Sequence, residues 1–147
     1  MKIYVALLLS ASAVTAFAAL GSAPSALGPR VLSQAAVQGA NTGGAYTDRK
    51  QTLATGTEVH EYLDGAGTVF AVSWAGPFLP DLKEVLGVHF QAMVDHVHQH
   101  PGGGARAQLR LQSNDVVIFS GGRPGAFEGR AWVPALLPPG FDTNAVR

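Results

Sequence analysis

The sequence predicts an α+β domain: an antiparallel sheet of about five or six strands packed against one helix, preceded by a signal peptide and a flexible arm. Three observations carry this. From Tyr46 onward, short runs rich in β-branched and aromatic residues recur between turn residues. One stretch, from Leu82 toward His100, instead repeats its apolar residues at 3.6-residue spacing. That stretch sits in the middle of the chain, with strand-like runs on both sides.

A chain of 147 residues has room for one domain. The sequence divides into a signal peptide over 1–18, an Ala-, Gly-, Ser- and Pro-rich arm over 19–45, a single α+β domain over 46–141 and a tail over 142–147. The leader reading rests on order: Lys2 gives a positive start, Ile3 to Val14 is uncharged and apolar, and Ala16 and Ala18 flank Phe17 as an A-x-A cleavage site. An uncleaved anchor is the rival reading. Ser10, Ser12, Thr15 and many alanines dilute the stretch, and a span needs about 20 strongly apolar residues. Export followed by cleavage after Ala18 is therefore expected, leaving no membrane span.

In the arm, a short strand or turn is expected near Val31 to Val37. Tyr46 to Gly56 reads as a polar strand, and Thr57 to Asp64 as a second. In the second, Val59, Glu61 and Leu63 share one face and His60 and Tyr62 the other. Asp64 and Gly65 suit a hairpin turn. Thr68 to Gly76 is the best strand, with Phe70, Val72 and Trp74 expected on one face. Pro77 and Pro80 end it. Asp81 is placed to cap a helix whose stripe is Leu82, Leu86, Phe90, Met93 and Val97, and Gly87 could split it. Beyond the "PGGG" stop, three more strands follow. Arg106 to Ser113 turns Leu109 and Leu111 inward, Asn114 to Gly122 is a continuous apolar run, and Gly125 to Pro134 has Trp132 out of phase with Phe127, Ala131 and Val133.

Composition excludes several functions. The formal net charge is zero and no basic run exists, so a nucleic-acid partner is not expected. Cysteine is absent, which removes disulfides and a lipoprotein anchor. No phosphate loop, nucleophile elbow or H-E-x-x-H occurs. Two features remain. His96 and His100 lie one turn apart at the helix end and could share a metal, with His60 as a further candidate; zinc needs a third or fourth ligand. The competing reading is a helix terminus whose histidines bond its free carbonyls. Trp132, Arg130 and Pro134, with Phe78 and Pro80, form a candidate binding surface of aromatic and proline residues.

Three stretches also carry a resemblance: "EVHEYLDGAGTVFAVSWAGPFLPDLKEVLG", "DVVIFSGG" and "FEGRAWVPALLPPG". They resemble a family of short exported proteobacterial proteins known as domain-of-unknown-function family 2844. The most specific part is Trp74 to Leu82. The resemblance implies an exported protein without an assigned activity and brings no catalytic residue with it. The expectation is a periplasmic or extracellular cell-envelope protein, a non-enzymatic binding or structural module without a cofactor. Its partner would be an envelope protein or small ligand. The alternatives are a periplasmic metal-binding protein using the helix-end histidines, or a hydrolase whose nucleophile has no recognisable motif.

Overall fold

Seven strands among the described residues form one antiparallel sheet: β1 (Val31–Asn41), β2 (Gly44–Leu53), β3 (Glu58–Leu63), β4 (Val69–Gly76), β5 (Leu109–Gln112), β6 (Val117–Arg123) and β7 (Ala126–Trp132). Their spatial order is β1-β2-β3-β4-β7-β6-β5. The structure is a computed structural model and describes residues 20–25, 27, 31–41, 44–101 and 108–147. The predicted leader over 1–18 and the glycines after Pro101 lie outside the described residues. Two meanders, β1 to β4 and β5 to β7, meet where β4 pairs with β7. The helical crossover after β4 lets the second meander return to that central strand.

The crossover begins as the sequence predicts. The Asp81 carboxylate accepts the N–H groups of Lys83 (3.1 Å) and Glu84 (3.3 Å), opening α1 (Leu82–Leu86). Gly87, at φ +53°, closes α1. A 3-10 turn over Gly87–His89 then leads into α2 (Phe90–Gln99). The single long helix is therefore two, broken at the glycine.

Each side of the sheet carries a core. On the helix side, Val59, Val72, Trp74, Ile118 and Ala131 pack with Val85 and Leu86 of α1. On the outer side, Tyr62, Phe70 and Ala71 pack with Tyr46, Leu137, Phe141 and Val146. Phe70 was expected to share a face with Val72 and Trp74. An irregularity puts it on the other side: Leu63 pairs with Val69 and Tyr62 with Ala71, so Phe70 is the extra residue of a bulge and the strand's phase shifts there. The ring is then edge-on to Phe141, with centroids 4.9 Å apart.

The sequence reading is also corrected at both ends of the domain. It expected five or six strands and a flexible arm over 19–45, yet β1 runs for 11 residues and pairs with β2 from Val31 to Asn41. Its pattern was not legible because β1 is an edge strand, exposed on both faces, so no apolar face repeats. Ahead of it, Leu20 and Leu27 are buried in the helix-side core. Gly21 donates to the Val69 carbonyl, and Val69 donates to that of Ser22. Residues 142–147, expected to be an irregular tail, make a 3-10 turn over Thr143–Ala145 and bury Val146 on the outer core. The Tyr62 hydroxyl meets the carbonyls of Ala145 (3.3 Å) and Arg147 (3.2 Å) there. Burial pushes the Tyr62 phenol above its usual pKa, which keeps it neutral.

A buried charged cluster fixes the segment around Ser25. Glu61 has no exposed surface. It accepts from the Ser25 N–H (2.7 Å), from Arg49 Nη1 (2.8 Å) and from Gln51 Nε2 (3.1 Å). Arg49 Nη1 also donates to the Ser25 carbonyl (2.9 Å), so the ion pair grips both backbone groups of one residue. Alternation puts Glu61 on the face of Val59 and Leu63, but the segment with Leu20, Ser25 and Leu27 that covers it comes from 36 residues away and has no local signature.

Candidate functional site

The outer face of the sheet carries a row of polar side chains across six strands. Registers place Lys50 opposite His60, His60 opposite Ser73, Ser73 opposite Arg130, Arg130 opposite Phe119 and Phe119 opposite Arg110. Residues directly opposite in an antiparallel sheet share a face, so sheet pairing alone lines up the row. In its β2–β3 half the basic groups have acidic partners: Lys50 pairs with Glu58 (2.6 Å), and His60 Nδ1 lies 2.8 Å from Asp48 Oδ1.

The other half differs. The Arg130 guanidinium lies 5.5 Å from the centre of the Phe119 ring and 5.9 Å from that of Trp132. Arg110 lies 5.8 Å from the same Phe119 ring. Phe119 and Trp132 are themselves 5.7 Å apart and tilted. Stacking holds a guanidinium through its face and leaves the N–H edge available. Among the described residues, neither Arg110 nor Arg130 makes an ion pair or a side-chain hydrogen bond. Arg110, Arg130 and Phe119 line an open groove of about 610 Å³, to which Glu128, Gly121, Ala75, Trp74, Val146 and Arg147 also contribute.

The glycine at the centre of the adjoining strand has a packing reason. Gly129 lies opposite Trp74 on the helix side, and a Cβ there would overlap the indole ring. Trp74 can thus lie flat beneath β7 while Arg130 and Glu128, its neighbours in sequence, face the groove on the other side.

The structure separates the residues that sequence reasoning grouped as one surface. Arg130 lines the groove, Trp132 lies beside Arg130 and Phe119 but is not a lining residue, and Pro134 opens a 3-10 turn just beyond β7. Phe78 and Pro80 lie past the opposite end of the same pair of strands, since Gly76 pairs with Phe127 and Ala71 with Trp132. Phe78 is 58% exposed, whereas Pro80 is buried. Phe119 and Arg110 went unnoticed. The alternation of Gln108, Arg110 and Gln112 pointed Arg110 outward, but nothing local tells which strand it will face.

The histidines are split as well. His96 and His100 stack at the end of α2, with ring centres 4.4 Å apart, and His100 Nδ1 lies 3.0 Å from the His96 carbonyl oxygen. That carbonyl also accepts the His100 N–H (3.1 Å), so the ring adds a second contact at the helix end. His60 is on the outer face of the sheet, away from the helices, bound to Asp48. Among the described residues, no group of three or more His, Cys, Asp or Glu side chains is placed to hold a metal. Asp48, His60 and Ser73 come from adjacent strands in the order that nucleophilic catalysis would use. Ser73, however, is buried and makes no hydrogen bond to His60.

Among the described residues no helix is long and apolar enough to cross a membrane. No curated protein and no solved structure matches the chain. A family model does, over residues 16–146, a span that takes in all seven strands, both helices and every groove residue but Arg147. The chain therefore belongs to the family described as "Protein of unknown function (DUF2844)".

Proposed function

We propose that the protein is an exported cell-envelope binding module, non-enzymatic, whose outer-face groove recognises an anionic ligand with a flat apolar body. One observation carries this reading: two guanidiniums 5.8 and 5.5 Å from the centre of the single Phe119 ring, both lining the groove and, among the described residues, without an ion pair or side-chain hydrogen bond. Arginine forks match carboxylate and phosphate oxygens in pairs, and the rings of Phe119 and Trp132 supply the apolar surface beside them. A hydrolase would need a nucleophile bonded to its base, and Ser73 is not bonded to His60.

The test is a calorimetric titration of the wild type with benzoate, 2-naphthoate and phenyl phosphate, with neutral benzamide as the control. Saturable binding of at least one anion is expected, with none for benzamide. Arg130→Ala and Arg110→Ala should each weaken it about 10- to 150-fold, as loss of a charge-assisted hydrogen bond of about 1.5–3 kcal/mol implies. Failure of all three anions, or binding indifferent to both arginines, would overturn the assignment.

Export is supported by the order of Lys2, the apolar run and the A-x-A of Ala16 and Ala18. Protein isolated from the periplasm should begin at Ala19 by intact mass or N-terminal sequencing. Recovery of the whole chain, Met1 included, from the membrane fraction would replace a soluble module by an anchored one.

A further inference from the structure

We infer that β1 is a pairing edge and that its occupant is a second copy of this chain. Among the described residues no strand pairs with the outer side of β1 or of β5, but the two edges differ. β5, the far edge, is four residues long and presents Arg110, which are two common ways of discouraging edge-to-edge association. β1 is 11 residues long and contains no Lys, Arg, Asp, Glu or Pro. A bulge at Leu32 disturbs its start; from Ser33 to Asn41 the pairing with β2 is unbroken, so the outer edge is regular over that span. Every side chain from Leu32 to Gln38 is exposed, Val37 by 63%. The edge glycine is also sheltered: Gly39 lies opposite Tyr46, whose ring occupies the place of its missing side chain.

Self-pairing follows from the sequence of the strand. The midpoint of Val31–Asn41 is Ala36. Antiparallel pairing about a two-fold axis there sets Ala36 opposite Ala36, Ala35 opposite Val37 and Gln34 opposite Gln38, and each face keeps its own residues because the strand period is two. On the outer side Ala35 and Val37 of one copy meet Val37 and Ala35 of the other. On the helix side the glutamines are already engaged within each copy. Gln38 Nε2 donates to Thr47 Oγ1 (2.9 Å), and Gln34 Oε1 accepts from Arg49 Nη2 (3.2 Å). No charge is buried by the contact, and a formal net charge of zero opposes association only weakly. The result is one continuous sheet of fourteen strands with the two grooves at its far ends (seven strands from each copy). A single strand pair is a small interface, so the dimer dissociates on dilution.

The absence of cysteine makes the test direct. In the full chain produced with its own leader, Ala36→Cys places two thiols across the two-fold axis, while Ala92→Cys, on the exposed side of α2, reports random collision. Under mild oxidation Ala36→Cys should form the cross-linked dimer at least about tenfold faster, since pairing raises the local thiol concentration. Sedimentation of the wild type should show a concentration-dependent dimer that Val37→Lys abolishes while its circular dichroism is unchanged. A wild type that stays monomeric up to about millimolar concentration overturns the proposal. So does equal cross-linking of the two cysteine variants, or a dimer that survives Val37→Lys.

Discussion

Replacing Glu61 by Ala is expected to destabilise the domain by about 3–5 kcal/mol, the range for breaking a buried ion pair from one side. Glu61 has no exposed surface, and both its oxygens are used: one by the Ser25 N–H, the other by Arg49 and Gln51. Its removal leaves the Arg49 guanidinium without its carboxylate in a largely buried place and the Ser25 N–H without an acceptor. The loss should be local as well as global. Amide exchange of Gly21 and Ser25 should rise more than that of Val72 or Ile118, because the segment before β1 is held by this cluster and by the pairing at Val69. The double variant Arg49→Leu/Glu61→Leu should regain part of the stability, since no charge is then stranded, but not all of it, since both Ser25 backbone groups remain unpaired. Denaturation curves with exchange measurements decide the matter. A single-variant loss below about 1 kcal/mol, with Ser25 still protected, would mean that the cluster is not what holds residues 20–27.

The Glu61 cluster marks the limit of what could be read from the chain. Where structure depends on neighbours in sequence, the residues announced it: Asp81 caps α1, Gly87 breaks the crossover, and Asp64 accepts the Ala66 and Thr68 N–H groups to turn β3 into β4. The alternation of Val59, Glu61 and Leu63 even placed Glu61 on the core side. What sequence could not supply was the cover, because Leu20, Ser25 and Leu27 come from a stretch whose apolar residues have no period. β1 was read only as a short strand or turn near Val31 to Val37 for a related reason: an edge strand with both faces exposed has no buried side to pattern. The groove shows the same limit. Arg130 and Trp132 could be assigned to one face of β7, but Phe119 and Arg110 join them only through strand order. That order requires the second meander to return beside β4. Phe70 failed by a different route, since one bulged residue inverts the phase of everything on one side of it.

The two tryptophans should respond very differently to truncation. Trp74 is 2% exposed and packs with the helix-side core that includes Val85 and Leu86, with β7 drawn over it at Gly129. Trp74→Ala removes the largest buried side chain and leaves a cavity that the surrounding sheet backbone cannot collapse to fill. A loss of about 3–5 kcal/mol is expected. One term reduces the cost: the indole Nε1 is buried without an acceptor, so the variant also relieves an unpaired donor, and the lower half of that range is the better expectation. Trp132 is on the outer face, only partly buried, against Phe119 and the Arg130 guanidinium. Its replacement by Ala loses ring contact and a cation–π pair but opens no enclosed cavity, so about 1–2 kcal/mol is expected. The variants should also separate in function. Trp132→Ala removes one of the two rings beside Arg130 and should weaken anion binding at the groove. Trp74 also lines the groove but is 2% exposed, and its variant keeps both arginines and the rings beside them, so a folded Trp74→Ala protein should lose less affinity than Trp132→Ala. Chemical denaturation of the two variants, followed by the same titration, checks both halves. Equal stability losses would place both rings in the core, and unchanged binding in Trp132→Ala would remove that ring from the site.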